Sequence, residues 1–205
     1  MTTGTRLGAP AAGTAQASAG MGAATAADLG TLPEWDLSDL YASPEASEVK
    51  RDIEAAAAAA GDMKARYQGR IVALAEDGAA LAEAISAYER LSDLMGKLGS
   101  YAGLLYAGNQ ADPARAKFYG DLSEKLTQIS TDLVFFELEL NAVAEDQMAK
   151  ACEHPRARRF EPWLEDLRKE KPHQLDEKLE TLFQEKSQTS RGAFSRLFNE
   201  TKTGL

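Results

Sequence analysis

Cysteine is almost absent from this chain of 205 residues: Cys152 stands alone, so no internal disulfide can form. A lone thiol fits a reducing compartment, and the location expected on that ground is the cytoplasm. With Glu153 beside it and no positioned histidine and asparagine to accompany it, Cys152 reads as a partly buried thiol near a helix end, not as a nucleophile. Histidine is nearly as scarce. His154 and His173 are the only two, they lie nineteen positions apart, and no His-Glu-x-x-His occurs. Either histidine alone would hold zinc weakly, because stable sites need three or four ligands. Basic charge is in deficit, with 23 Lys and Arg against 32 Asp and Glu and a net charge of −9. That excludes a general nucleic-acid binder, which needs a basic face to release counterions. No uninterrupted apolar run approaches the length that spans a bilayer, so no membrane segment is expected. No β-branched alternating run reads as a strand either. Residues 1–30 lack the charged start and continuous apolar core of a secretory signal, and with Arg6 as their one arginine they lack the basic face of a mitochondrial leader.

What remains is a strong helical pattern. Apolar residues make up 44% of the chain, enough for a true core. Residues 1–31, rich in Ala, Gly and Thr, bury too little apolar surface to offset their ordering entropy and are expected to be a disordered tail. Met21 is a candidate for the true start. Order is expected to begin at Leu32, with Trp35, Leu37, Leu40 and Tyr41 packing across a preformed surface and Asp36 capping a short turn through Asp39.

Ser43-Pro44 reads as a helix start, hydroxyl at the cap and proline at the first helical position. Val49, Ile53, Ala56, Ala60, Met63 and Tyr67 then mark one helix face, and the alanines from Ala55 to Ala60 permit close approach of a neighbour. Gly69 ends this helix, and Arg70 to Glu76 read as a short helical turn. Asp77 caps a second long helix carrying Leu81, Ile85, Tyr88, Leu91, Met95, Leu98, Ala102 and Leu105. Gly96, Gly99, Gly103 and Gly108 each cost about 1 kcal/mol of helix propensity, and the expected reason is close helix packing or a kink. Asp112-Pro113 opens a third helix, read as continuous along Phe118, Leu122, Leu126, Ile129, Leu133, Phe136 and Leu140. Shorter helices follow over 145–152, 158–169, 175–186 and 190–201. The fold class is all-α: a long antiparallel helical bundle followed by shorter helices.

Several of these residues, taken in order, carry more than periodicity. They are Trp35-Asp-Leu-Ser-Asp-Leu-Tyr41, Tyr88-Glu, Gly99-Ser-Tyr-Ala through Asp112-Pro113, Phe135-Phe-Glu-Leu-Glu-Leu-Asn141, Leu167-Arg-Lys-Glu-Lys-Pro-His-Gln-Leu175 and Leu197-Phe-Asn-Glu200. Their order and spacing, over roughly residues 32–205, resemble the N-terminal region of oligoendopeptidase F and related zinc oligopeptidases. The resemblance implies a two-lobed helical peptidase with a deep, narrow channel that admits short peptides and excludes folded proteins. It implies a zinc ion in the full-length enzyme, held by the two histidines of a His-Glu-x-x-His helix and a downstream glutamate, with the motif's glutamate as general base. None of those residues maps onto this sequence, so no catalytic or metal-binding residue is assigned and no metal is expected on this chain alone.

The organisation expected is therefore a tail over 1–31, a helical bundle domain over 32–142, and over 143–205 the start of the helical region leading to an absent C-terminal catalytic domain. Tyr101, Tyr106 and His173 are the candidates for lining the substrate channel or touching the other lobe. The competing placements are core positions for the tyrosines and a cap or interface hydrogen bond for His173. Glu137 and Glu139, two apart on a helix, diverge too far for paired acid–base work and are expected to be solvated or ion-paired. Arg156, Arg158 and Arg159 read as a solvated helix start with acidic neighbours. The leading function is a non-catalytic front region that walls the channel of an oligoendopeptidase F-like enzyme. The alternative is a stand-alone helical interaction module without catalysis. Exposed apolar surface separates them, since a front region should present some where the other lobe docks. A cofactor-binding four-helix bundle would want Glu-x-x-His pairs on two helices, and none is present.

Overall fold

Two aspartates frame the structure. Asp77 accepts from the Ala79 amide at 2.8 Å and opens a 31-residue helix, while Asp112 accepts from the amides of Ala114 and Arg115 and, with Pro113 at the first turn, opens the next long one. The computed structural model describes residues 34–203, and among them every regular element is helical. The expected tail, and the first two residues of the expected ordered segment, lie outside the described residues. In chain order the elements are α1 (Ser47–Tyr67), α2 (Ile71–Leu74), α3 (Gly78–Gly108), α4 (Pro113–Thr131), α5 (Val134–Ala142), α6 (Glu145–Cys152), α7 (Pro155–Arg158), α8 (Glu161–Glu170), a 3-10 turn (Lys171–His173), α9 (Glu177–Ser187) and α10 (Arg191–Thr203).

α1, α3 and α4 pack on one another as the long members of a helical bundle. The α1 face is buried at Val49, Ala56, Ala60, Met63 and Tyr67, and the alanines allow the close approach that their size predicts. Gly69 follows at φ +75°, a left-handed conformation that stops the helix at little steric cost. One apolar cluster runs from α1 through α2, α3 and α5 to α8, centred on Ile71, Leu81, Ile85, Phe136, Leu140 and Val143. Each large side chain buried there contributes about 1.5–3 kcal/mol relative to exposure. The cluster passes without interruption from Leu140 through Val143 to Met148. A second cluster joins Tyr41 and Val49 to Leu98, Tyr101, Ala102 and Leu122.

Three local expectations are corrected. Ser43-Pro44 forms a turn, with the Ala46 amide bonded to the Ser43 carbonyl, and α1 begins only at Ser47 with no side-chain cap. The third long helix is two helices, broken at Asp132-Leu133. Thr127, Ser130 and Thr131 bond back to backbone carbonyls of the preceding turn, and the amides of Asp132 and Leu133 bond three residues back, which ends the regular ladder. The glycines of α3 do not share one packing role. A β-carbon at Gly96 or Gly103 would meet nothing within 4 Å, and one at Gly99 would make only ordinary contact with Leu126. The close approach is instead at Gly78, where a β-carbon would stand 2.3 Å from the Ala151 carbonyl oxygen and 2.6 Å from the His154 β-carbon. α3 runs unbroken across all four glycines of the Gly96–Gly108 stretch.

The N-terminal segment docks as its composition requires, with one exception. Asp36 accepts from the Ser38 amide at 2.9 Å, Tyr41 is buried, and Leu37 and Leu40 pack beside it. Trp35, expected in the same contact, is 69% exposed.

Candidate functional site

α9 lies against α4 and α5 with its polar side inward. The Gln184 amide donates to the Ser130 hydroxyl at 2.7 Å, the Gln188 amide to the Thr127 hydroxyl at 2.7 Å, and the Gln68 amide to Glu177 at 3.1 Å. At 100° per residue the anchoring positions 177, 184 and 188 lie roughly opposite Leu179, Leu182 and Phe183, and Leu175 stands just before the helix. Those four apolar side chains are exposed, as are Phe194, Leu197 and Phe198 on α10, at 41–72% of their full surface. An amphipathic helix that turns its amides inward and its leucines outward presents a stripe built for a further partner.

Between α3 and α4 on one side and α9 and α10 on the other runs a groove made of two adjoining cavities, of about 480 and 690 Å³. They share Gln188 and Arg196, and the Arg196 guanidinium reaches to 3.9 Å from where a Gly120 β-carbon would stand. The smaller cavity is lined by Gly103, Tyr106, Tyr119, Ser195, Arg191 and Arg196 among others, and no acidic side chain lines it. The larger one carries Thr127 and Gln128 together with Glu124 and Glu185. Neither cavity is lined by a histidine or a cysteine.

The three residues singled out from the sequence fall in three places. Tyr101 sits inside the second apolar cluster, edge-on to Tyr41 and Phe118 at ring separations of 5.1 and 5.9 Å. Tyr106 stacks on Tyr119, centroids 5.0 Å apart, and lines the smaller cavity. Its hydroxyl is buried without a hydrogen-bond partner, and burial raises its pKa. His173 is exposed in the 3-10 turn and lines a separate depression beside Leu138, Leu167 and Gln184.

Other polar groups have structural employment. Glu139 accepts from the amides of Gly69 and Ile71, at 2.6 and 3.1 Å, and so ties the α1–α2 connection to α5. Glu137 accepts from the Tyr88 hydroxyl at 2.7 Å, and Tyr88 stacks on Phe136 and Trp163. Burial and the adjacent Glu137 carboxylate hold the Tyr88 hydroxyl firmly protonated. His154 caps α7 by accepting from the Arg156 amide. Cys152 is buried, and burial followed by the charge of Glu161 raises its thiol pKa, as expected of an unreactive cysteine. Arg159 pairs with Glu89 and covers the Phe160 ring.

Sequence reasoning missed Asp52, which is buried on α1 and accepts from the Tyr41 hydroxyl at 2.9 Å and from Arg51, with Lys97 3.8 Å away. Its signal was available: 52 falls between 49 and 56 on the buried face, where an acid demands partners. Among the described residues no group of three or more His, Cys, Asp or Glu side chains could hold a metal ion, so these residues do not fit a zinc site. Nor is any described helix long and apolar enough to cross a membrane.

By class, then, this is an all-helical module with a polar groove and an outward apolar stripe. Residues 139–205 match the N-terminal family model described as oligopeptidase F. Over 173 residues the chain is 27% identical to oligopeptidase PepF of Bacillus subtilis (strain 168), a stretch that covers 80% of this chain and 24% of that protein. The chain thus spans about a quarter of the length of the curated relative it matches. No solved structure matches. The two matches support an N-terminal region of the oligopeptidase F family, which is what the order of motifs implied.

Proposed function

We propose that this chain is the non-catalytic N-terminal helical region of an oligopeptidase F-like zinc metalloendopeptidase, and that its work is to wall the path by which short peptides reach a metal centre borne elsewhere in the polypeptide. The observation that carries this reading is the apolar stripe of α9 and α10. It lies within the stretch that the family matches, and it faces away from the body to which its own helix is anchored. An exposed stripe marks a docking surface, and its place within the matched stretch favours the enzyme's own further region as the occupant over an unrelated partner. On this reading Tyr106 and His173 are candidates for channel or lobe contact, while Tyr101 supports the channel wall from inside. The partner is the C-terminal catalytic region, and the substrates are short peptides in the cytoplasm.

Two measurements test it. Continued reading of the gene past the Leu205 codon should meet a frame encoding His-Glu-x-x-His, and a frame without it would overturn the proposal. The purified 205-residue protein should leave a mixed peptide library intact with and without added zinc. Zinc-dependent cleavage, with contaminating peptidases excluded by a matched control purification, would overturn it equally.

A further inference from the structure

The smaller cavity of the groove differs in charge from the rest of the molecule. In a chain of net charge −9 its lining holds two arginines, Arg191 and Arg196, and no carboxylate. Arg191 and Gly192 also open the 13-residue helix α10, whose N-terminal end adds positive potential. Tyr106 is 5% exposed, and its hydroxyl lacks any partner, a costly state for a buried donor. The floor is open at Gly103, where a β-carbon would touch nothing within 4 Å. A volume of about 480 Å³ is within the range of small-ligand sites. The adjoining cavity sets Glu124 and Glu185 against the shared Arg196, a net negative lining, and offers Thr127 and Gln128 along the way. The charge of Glu200 reaches the Tyr106 hydroxyl and, after burial, helps raise its pKa, but Glu200 does not line the cavity.

We propose that this groove binds a short peptide by its two charged ends, the C-terminal carboxylate lying in the smaller cavity against Arg191, Arg196 and Tyr106 and the N-terminal ammonium lying toward Glu124 and Glu185. A guanidinium receives a carboxylate through two parallel, charge-assisted hydrogen bonds, and the Tyr106 ring forms part of the wall beside it. A groove with an arginine end and a glutamate end matches the dipole of a free peptide and disfavours an internal segment of a folded chain, which has neither end. The choice of a peptide as ligand rests on the function proposed above; the polarity of the groove does not.

Isothermal titration of the 205-residue protein with tetra-alanine, with its C-terminal amide and with its N-acetyl form tests this directly. Tetra-alanine should bind, the amide should lose tenfold or more, and the acetylated peptide should lose several-fold. R191A and R196A should each weaken tetra-alanine several-fold and leave the amide unchanged. G103L, whose β-carbon meets nothing within 4 Å and which improves helix propensity, should abolish binding while circular dichroism and the melting temperature show an intact fold. Equal binding of acid and amide overturns the inference, as does undiminished binding by G103L. Acetate binding as tightly as tetra-alanine would reduce the site to an anion pocket and overturn the peptide assignment. Absence of binding at millimolar tetra-alanine overturns the inference and leaves the wall function standing, whereas a reading frame without His-Glu-x-x-His removes that function and leaves the titration result untouched.

Discussion

Asp52 shows how one side chain can fasten a segment. Buried on α1, its carboxylate collects the Tyr41 hydroxyl, Arg51 and Lys97, and through Tyr41 it holds the segment before α1 against the bundle. Lys97 also lies over the Tyr41 ring at 4.2 Å. Burial pushes the pKa of Asp52 upward, but the hydrogen bonds from Arg51 and Tyr41 and the charges of Arg51 and Lys97 outweigh it, and the net shift is downward. A group whose pKa is lowered by folding stabilises the fold above its unfolded value, about 3.9 for aspartate, and that contribution fades as pH falls through the folded value. The stability gap between the native sequence and Asp52→Asn, read from urea midpoints, should therefore be full at pH 7 and shrink steadily below about pH 4. A gap that is constant with pH would mean that the carboxylate's charge contributes nothing. Tyr41→Phe should cost about 1.5–3 kcal/mol, the range for a hydrogen bond to a charged group. Cys152 makes the contrasting case of a residue with no task beyond packing. Its raised pKa and burial predict slow reaction with a thiol reagent at pH 8 in the native protein and fast reaction in urea, followed by absorbance of the released thiolate.

At the scale of helices, two glycines of α3 should answer the same substitution with opposite signs. Gly78→Ala drives a β-carbon into the Ala151 carbonyl and His154, backbone and side chain of the α6–α7 corner, and should cost at least about 2 kcal/mol. Gly96→Ala meets open space in mid-helix and should stabilise by about 0.5–1 kcal/mol. Thermal unfolding of the two variants decides it, and a shift of the same sign in both would refute the packing described. Much of the helical layout was legible in advance because caps and periodicity are local: Asp77, Asp112-Pro113, Gly69 and the 145–152 helix fall where their residues place them. What escaped depended on distant or competing partners. The clash behind Gly78 comes from α6 and α7, seventy residues away, and no local rule marks it. The break at Asp132-Leu133 arises from hydroxyls bonding back to the helix, a weak signal beneath a strong apolar repeat. The spacing of Glu139 predicts a solvated or ion-paired position, yet its carboxylate accepts from the amides of Gly69 and Ile71 across the fold. Glu139→Gln keeps the shape and loses the charge, and it should cost about 1–2 kcal/mol in urea unfolding.

For the molecule as a whole, burial is uneven along the chain. The body from Tyr41 to Leu164 closes around two apolar clusters, whereas α9 has no buried residue and is fixed by amide-to-hydroxyl bonds. The candidate groove was only half legible from sequence for that reason. Tyr106 announces itself as an amphipathic aromatic, but Arg191, Arg196, Glu124 and Glu185 look like ordinary surface charges until α9 and α10 fold back over α3 and α4. The apolar stripe follows the same logic: its periodicity predicts a buried face, and within the described residues nothing covers it. Burying what remains exposed of each would add roughly half of the about 1.5–3 kcal/mol that full burial contributes, so several together make a docking surface of consequence. If the stripe is a docking surface and not part of the core, removing it should leave the fold intact. Phe194→Ser with Phe198→Ser should leave the thermal midpoint within about 2–4 °C, because exposed positions away from packing change stability little. The same pair should cut the fluorescence of a hydrophobic dye bound to the native protein and reduce its self-association in sedimentation velocity. A large fall in the midpoint would instead show that α10 is held by these phenylalanines, and the stripe would then belong to the body's own packing.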